Sequence, residues 1–373
     1  MRGAKIVSVK HRLTWLAPFV MVFGIWAQRP THRASRPVGD GGAATNAEIN
    51  GPHGIATDGA KSLYIIEGIG NFIRCVDLNT GLISTIKPKV KLEAMDKIVV
   101  DKAGDLIVSE FTADRIRKIH PQNGSVSLVA GAARISFAGD GGPSEAAGLS
   151  RPSGMALDAN GNLYIVDMDN NRIRRIDNRT GIISTVAGSG KRDSSGDGGP
   201  AVLAGLEYPS GVAIDSANNI YISQFGYGPD SHRVRRVDAK TGLIETIAGA
   251  GKVGLRGDGG LALPASLQSP SGLAFDRAGN LFVVDPVNDR VRRIDGRSGI
   301  ISTFAGTTKG FAGDGGPAAN AKLNNPSGIA FDSDGNLYIA EFVNNRVRRV
   351  DAKTGIITTI AGNGLPNRTD VLM

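Results

Sequence analysis

Short runs of aliphatic residues alternate along this chain with turns rich in Asp, Asn and Gly. Residues 152–187 show the pattern clearly. The runs there are Gly154–Leu157, Leu163–Val166, Ile173–Ile176 and Ile182–Val186. Runs rich in Ile, Val and Tyr between turn residues are typical of β-strands joined by hairpins. This segment therefore predicts four short antiparallel strands.

The same unit occurs six times. Residues 326–362 read PSGIAFDSDGNLYIAEFVNNRVRRVDAKTGIITTIAG, similar strings begin at Pro152, Pro209 and Pro270, and weaker copies begin at Pro52 and Met95. The third residues of the copies are Gly54, Lys97, Gly154, Gly211, Gly272 and Gly328, at spacings of 43, 57, 57, 61 and 56. Repeats of four strands at this period are typical of propeller blades. We therefore predict an all-β fold, a six-bladed β-propeller with four antiparallel strands per blade.

Three strings within each unit carry a family resemblance. PxGIAxD, GNLYIx(D/E) and NR(I/V)Rx(I/V)D resemble NHL repeats, and the interposed GDGGPA resembles that of teneurin-like and bacterial sensor NHL propellers. The resemblance covers residues 39–364 and implies six blades, the number of copies counted. The first copy begins at its innermost strand and the last ends on its outermost strand, at Ile356–Ala361. No strand is left to be exchanged, so we expect blade one to pack directly on blade six.

Charge is concentrated at the N-terminus. The 373 residues carry a formal charge of +8, but residues 1–38 contain seven basic residues and no acid, so residues 39–373 carry only +1. A near-neutral folded part with 5% aromatic residues lacks the basic footprint of a nucleic-acid binder. The single cysteine allows neither an intramolecular disulfide nor a cysteine-based zinc site.

The N-terminus resembles a secretory signal. Basic residues precede the apolar run Leu13–Ala27, which is short for a membrane span. We expect a signal peptide at residues 1–27, a polar linker at 28–38, the propeller at 39–364 and a tail at 365–373. The expected location is secreted or periplasmic, with membrane attachment only if the segment stays uncleaved, and the expected oligomeric state is a monomer.

Positions shared by the blades are interpreted as structural. An aspartate that ends each first strand is expected to bond the turn backbone, and the acids that end the second strands, Gln224 being the neutral exception, are expected to brace the next hairpin. One arginine of each third-strand pair should be partly buried and need a carboxylate partner. GDGG, beginning at Gly39, Gly139, Gly196, Gly257 and Gly313, is interpreted as a crossover loop. Each position also has a functional alternative: the aspartates could bind a cation, the arginines an anion and the glycines a phosphate.

Positions that break the repeat are the candidates for a binding site. Serine enters the innermost strand in blades three to six, whereas blades one and two have His53 and Asp96. Blade four carries four extra residues around Gln224, Tyr227 and His232. In a propeller these positions emerge on one face, so we predict a ligand-binding pocket there, at the channel mouth. Of the five histidines, only His53 and His232 are placed to converge.

Two functions follow from these observations. The first is an exported scaffold that binds a protein, a glycan or a small molecule through this face, without nucleic acid. The second is a metal-dependent enzyme similar to the lactonases and lyases among six-bladed propellers, with its site at the channel mouth. No cofactor is predicted, although the second function would require a divalent cation. No nucleophile paired with a general base is evident, and a three-histidine zinc site is not expected.

Overall fold

The computed structural model describes residues 37–132, 136–228, 231–249 and 253–365. The predicted signal segment, residues 28–36 of the predicted linker and residues 366–373 of the predicted tail lie outside the described residues. Among the described residues, no helix is long and apolar enough to cross a membrane.

The described chain forms six antiparallel sheets of four strands each, which confirms the predicted propeller. Blade one contains β1 (Pro52–Thr57), β2 (Ser62–Glu67), β3 (Phe72–Asp77) and β4 (Ile83–Ile86). Blade two contains β5 (Met95–Val100), β6 (Leu106–Glu110), β7 (Arg115–Ile119) and β8 (Val126–Ala130). Blade three contains β9 (Pro152–Leu157), β10 (Leu163–Asp167), β11 (Arg172–Ile176) and β12 (Ile183–Ala187).

The last three blades repeat this arrangement. Blade four contains β13 (Pro209–Ile214), β14 (Ile220–Gln224), β15 (Arg233–Val237) and β16 (Ile244–Ala248). Blade five contains β17 (Leu273–Phe275), β18 (Leu281–Asp285), β19 (Arg290–Ile294) and β20 (Ile301–Ala305). Blade six contains β21 (Pro326–Phe331), β22 (Leu337–Glu341), β23 (Arg346–Val350) and β24 (Ile357–Ala361). Three-residue 3-10 turns lie at Ala44–Asn46, Ser144–Ala146, Ala201–Leu203, Pro286–Asn288 and Ala318–Asn320.

The ring closes by packing, as expected. β1 lies against β21, and in residues 37–365, as far as they are described, no strand is exchanged between the first and last sheets. The Ser327 hydroxyl donates to the Pro52 carbonyl at 2.9 Å, and Thr57 Oγ1 donates to the Phe331 carbonyl at 2.8 Å. These bonds join blades six and one across the seam of the ring.

The hydrophobic core lies between neighbouring blades. Aliphatic side chains of one sheet pack on those of the next, as Ile107 of blade two does in one cluster with Ile165 of blade three. The seam has a cluster of its own, in which Leu63 and Ile65 of blade one join Tyr338 of blade six. Both faces of a blade are therefore covered, which explains why the second strands read as continuous apolar runs.

The repeated aspartates bond their turns, as predicted. Asp158 Oδ1 accepts from the backbone N–H groups of Asn160 and Asn162, each at 2.9 Å. The same kind of bond occurs at Asp58, Asp101, Asp215, Asp276 and Asp332. The structural interpretation of this position is therefore confirmed.

The GDGG links cover the outer edges of blades. In the link to blade three, the Gly141 N–H donates to the Ile183 carbonyl at 2.8 Å, and the Ile183 N–H donates to the Gly142 carbonyl at 3.0 Å. The link thus pairs with β12 as a short fifth strand. The same two bonds recur at Ile83, Ile244, Ile301 and Ile357. Gly139 precedes them with φ +88°, and a Cβ there would lie 2.8 Å from the Ala147 Cα.

Each covering link also brings an aspartate to a buried arginine. Arg174 is fully buried, and its guanidinium lies 2.7 Å from Asp140 of the link and 3.2 Å from Asp167 of β10. The matching pairs are Arg74–Asp40, Arg235–Asp197, Arg292–Asp258 and Arg348–Asp314. The sequence therefore predicted correctly that this arginine needs a carboxylate partner, although it is buried completely rather than partly.

Candidate functional site

His53 and Asp96 meet where the innermost strands of blades one and two begin. His53 Nδ1 lies 2.6 Å from Asp96 Oδ1, and the Ser153 hydroxyl donates to Asp96 Oδ2 at 2.7 Å. The short distance assigns the imidazole proton to Nδ1. Asp96 is 3% exposed, whereas the His53 side chain is partly accessible. The structure therefore brings two predicted site residues into direct contact.

Lys97 completes this channel-mouth cluster, which we define as His53, Asp96, Lys97, Ser153 and Ser327. Its Nζ lies 3.3 Å from His53 Nδ1 and donates to the Ser327 carbonyl at 3.1 Å. At the five matching positions the chain has glycine, and at four of them a Cβ would collide with the adjacent inner strand, as at Gly328, where it would lie 2.4 Å from the His53 carbonyl. Sequence reasoning missed Lys97, although its break in a column of glycines was the signal.

The charges of the cluster compensate one another. Burial by itself raises the pKa of the Asp96 carboxyl, but the charges of His53 and Lys97 outweigh it and hold that pKa well below its ordinary value. Burial lowers the pKa of the Lys97 ammonium, and the Asp96 carboxylate opposes that shift. Asp96 is thus an ionised carboxylate that joins three neighbouring elements and holds the partly accessible imidazole in one orientation.

Gln224 lies inside blade four rather than at its surface. Its side chain is fully buried, and its Nε2 donates to the Ser194 hydroxyl at 2.6 Å. In four other blades the acid at this position pairs with the buried arginine, whereas Arg235 has only Asp197 as its ion-pair partner within the described chain. Gln224 Oε1 accepts no hydrogen bond from any described residue. It is therefore a buried amide facing the link that contains Ser194.

His232 braces the next link. It is 7% exposed, and its Nδ1 accepts the Ser269 backbone N–H at 3.1 Å. Burial lowers the pKa of His232, which favours the neutral ring that this bond requires. In other blades the residue before the third strand does the same with an amide or carboxylate oxygen, as Asn345 does for the Gly51 N–H. His232 thus replaces an Asn or Asp in a repeated contact.

Tyr227 is the exposed residue among the predicted candidates. Its ring is edge-on to Tyr208 at a centroid distance of 5.9 Å, and Tyr208 stacks on Phe225 at 5.8 Å. The Arg192 guanidinium lies 4.4 Å from the Tyr208 centroid and donates to its hydroxyl at 2.8 Å. We call these four residues the blade-four patch. Sequence reasoning found Tyr227 through the insertion but missed Phe225 beside it, and it missed Tyr208 and Arg192, which come from the preceding link.

The predicted residues form two groups rather than one pocket. His53 and Asp96 lie in blades one and two, while Gln224, Tyr227 and His232 lie in blade four, which is opposite blade one in a ring of six. His53 and His232 therefore do not converge. Both groups lie on the face where the first strands begin and the second strands end, because Pro52 pairs with Glu67 and Pro209 with Gln224. We call this the crossover face.

Metal binding by side chains requires several ligands at one place. Within residues 37–132, 136–228, 231–249 and 253–365, no group of three or more His, Cys, Asp or Glu side chains is arranged to hold a metal ion. At the channel mouth, Lys97 lies 3.9 Å from the Asp96 carboxylate, and this cation would repel a metal ion.

Comparison with known proteins gives the same architecture. The family model of the teneurin NHL domain matches residues 135–195 and 307–369. Human teneurin-4 is 32% identical over an alignment of 243 residues that covers 59% of this chain and 8% of teneurin-4. Chicken NHL repeat-containing protein 2 is 30% identical over an alignment of 304 residues that covers 72% of this chain and 40% of that protein. The chain therefore spans less than half the length of either relative.

Solved structures share the fold at low identity. A structural genomics protein of unknown function from Bacteroides thetaiotaomicron superposes with a TM-score of 0.64 at 20% identity, covering 85% of this chain and 73% of that chain. The virginiamycin B lyase from Staphylococcus aureus superposes with a TM-score of 0.51 at 20% identity, covering 87% of each chain. Such identity shows the fold alone.

The sheets and their ring define a six-bladed β-propeller. With the repeat motifs and the matches above, this chain is an NHL-repeat β-propeller.

Proposed function

We propose that this propeller is an exported recognition module that binds a partner protein through its crossover face. The blade-four patch is the observation that carries the proposal. Tyr227 is 69% exposed, and its ring contacts Tyr208 edge-on. Tyr208 in turn packs against the Phe225 ring and the Arg192 guanidinium. Tyrosine and arginine are enriched at the energetic centres of protein interfaces. Export rests on the predicted signal segment.

The patch is held in place before any partner arrives. The Ser231 hydroxyl and the Tyr227 N–H both donate to the Glu207 carboxylate, which ties both ends of the blade-four insertion to the incoming link. A pre-organised surface loses little conformational entropy on binding. The near-neutral charge of residues 39–373 favours a protein surface over nucleic acid as the ligand.

The test compares the chain with a double variant, Tyr227→Ser with Arg192→Ala, and with Leu261→Ser. Leu261 is 61% exposed in the blade-five link and is the matched control. Each protein is used to capture exported proteins of the source cell, and the retained protein is purified and titrated. We expect at least a tenfold weaker affinity for the double variant and no change for the control.

Two results would overturn this proposal. Equal affinity of all three proteins would remove the patch as the binding site. Binding to a glycan array, with no exported protein retained, would replace the protein partner by a sugar.

The metal-dependent alternative stays a prediction and has its own measurement. The chain is purified without chelators and its metal content is determined by mass spectrometry. One calcium or zinc per chain, lost in Asp96→Asn, would favour a lactonase- or lyase-like site at the channel mouth. Metal content at the background of the buffer would leave the recognition module as the better account.

A further inference from the structure

Blade two differs from the others at its outer edge. Five blades have this edge paired with a GDGG link, but the link that leads to blade two is the short basic segment 87–91. Among the described residues, its single backbone hydrogen bond to this edge is from the Lys89 N–H to the Gly124 carbonyl, at 2.7 Å. In blade three the matching bond is from the Ser144 N–H to the Gly181 carbonyl. It follows the residues Gly141 and Gly142, which cover the strand edge at Ile183. The stretch that would cover β8 is missing.

Within the described chain, the backbone of β8 is left open at Val126 as a result. Val126 faces Ile119 in the same register as Ile183 faces Ile176, so its N–H and carbonyl point outward. Neither group has a hydrogen-bond partner in the part of the chain that the structure describes. The covered counterparts are at most 1% exposed, as with Ile83 and Ile183, whereas Val126 is half-buried.

The arginine of this blade also keeps N–H donors that no described residue accepts. Arg117 donates to Glu110 at 3.1 Å, its single hydrogen-bond partner among the described residues. Its side chain is 17% exposed, whereas the five counterparts are fully buried. Arg174, for comparison, also bonds Asp140 and two carbonyls of its link. Arg117 therefore presents guanidinium N–H groups where the other blades hold an aspartate.

Fourth-strand side chains differ in the same place. Thr85, Thr303 and Thr359 donate to the link aspartate, but the residue opposite Arg117 is Leu128. Exposed lysines at 87, 89 and 91 add positive charge next to Gly124. Within the described chain, blade two thus offers a strand edge with unpaired backbone groups at Val126, a guanidinium with unused donors, an apolar side chain and nearby cations.

We propose that the outer edge of β8 binds an extended acidic segment of another protein, which pairs with β8 as the GDGG links pair with the other blades. The segment's backbone bonds the N–H and carbonyl of Val126, and its carboxylate bonds Arg117. The occupant is argued from the five links of this same chain, which fill the corresponding positions, and from charge complementarity. Strand addition to an open edge is a common mode of peptide recognition. This surface is distinct from the blade-four patch.

The probe is a peptide with the sequence of residues 311–316, FAGDGG, carrying an N-terminal fluorophore. We expect it to bind the full chain and to slow hydrogen exchange of the Val126 amide. The same peptide with Asp→Asn should bind at least tenfold more weakly, because the partner of Arg117 loses its charge. Val126→Pro should reduce binding at least tenfold, because proline removes the outward N–H and is tolerated on an edge strand.

The controls separate binding from folding. Circular dichroism and thermal unfolding establish that Val126→Pro is folded; if it is not, Arg117→Lys, which keeps the charge but loses the guanidinium fork, takes its place. The exchange rate of the Ile183 amide, which is covered in blade three, should not respond to the peptide. No binding at millimolar peptide, or equal binding by the wild type and the folded variant, would overturn the proposal and leave the lysines as residues that keep an open edge from pairing.

Discussion

Single residues that break the repeat of this propeller have different structural roles: some replace the usual residue in its usual place, and one makes a new contact. His232 and Gln224 break the repeat, yet the structure gives His232 the contact that an Asn or Asp makes elsewhere and buries Gln224 completely. Lys97 breaks a column of glycines and reaches Ser327 two blades away. A change of residue type is visible in one sequence, but whether the new side chain keeps the old contact depends on atoms from distant segments.

The role of His232 can be tested by two substitutions. His232→Ala leaves the buried Ser269 N–H without an acceptor and should lower the free energy of unfolding by about 1–3 kcal/mol. His232→Asn supplies the acceptor used in other blades and should recover most of that loss. Urea unfolding of the three proteins measures the difference. An Asn variant as unstable as the Ala variant would contradict this assignment.

At the level of the strand, the sequence predicts blade three almost to the residue. The run Leu163–Val166 became β10 with one further residue at its end, and Ile173–Ile176 became β11 with one further residue at its start. Turn residues limit each run, so local pattern is enough. The covering role of the links could not be seen in this way, because GDGG pairs with a strand that lies about 40 residues further along the chain. The open edge of β8 was therefore visible only as a missing motif.

Buried acids at the ends of second strands make stability depend on pH. Burial raises the pKa of Asp285 to about 7, so the folded chain binds a proton that the unfolded chain releases between pH 4 and 7. This contribution to stability is complete below pH 4 and is lost as the pH rises through 7. Asp285→Asn, which imitates the neutral Gln224 of blade four, should remove it.

The measurement is urea unfolding of both proteins at pH 4.5, 6 and 8. The stability of the wild type relative to Asp285→Asn should decrease as the pH rises. Turn Asp295 is the control, because its pKa is shifted in the opposite direction: hydrogen bonds from the Ser298 backbone and side chain lower it. Its carboxyl therefore stays ionised in the folded chain from pH 4.5 to 8. The difference between wild type and Asp295→Asn should stay constant over this range. A constant difference for Asp285 as well would show that its carboxyl is ionised throughout.

For the whole molecule, repeat counting predicted the ring and its closure without an exchanged strand. The structure adds how the seam is joined. Residues 38–48 act as the link of blade one, and Asp40 forms an ion pair with Arg74. From blade six, the Gly362 and Asn363 N–H groups donate to the carbonyls of Ala44 and Ala47. The seam is thus built like the other junctions that carry a GDGG link, except that no peptide bond crosses it.

A circular permutant tests this equivalence. Residue 365 is joined to residue 37 by a short glycine linker, and the chain is opened in the exposed segment 87–91. Because the contacts of every blade are kept, the permutant should fold with the circular dichroism spectrum of the parent and a similar melting temperature. Deletion of residues 37–47 should instead lower the melting temperature strongly, since Arg74 loses Asp40 and Ile83 loses its cover. An unfolded permutant would show that the seam differs from the internal junctions.

Because no peptide bond crosses the seam, closing the ring there costs conformational entropy of the chain. Ser327 and Pro52 are 275 residues apart, whereas Ser153 and Ser210 of neighbouring blades are 57 apart. Because the entropy of loop closure grows only with the logarithm of length, joining the seam costs about 1.4 kcal/mol more than joining those two blades. Packing as good as that of the other junctions is enough to hold it. The seam is nevertheless the junction where opening gains most freedom, so blades one and six should part before any other pair as the chain unfolds.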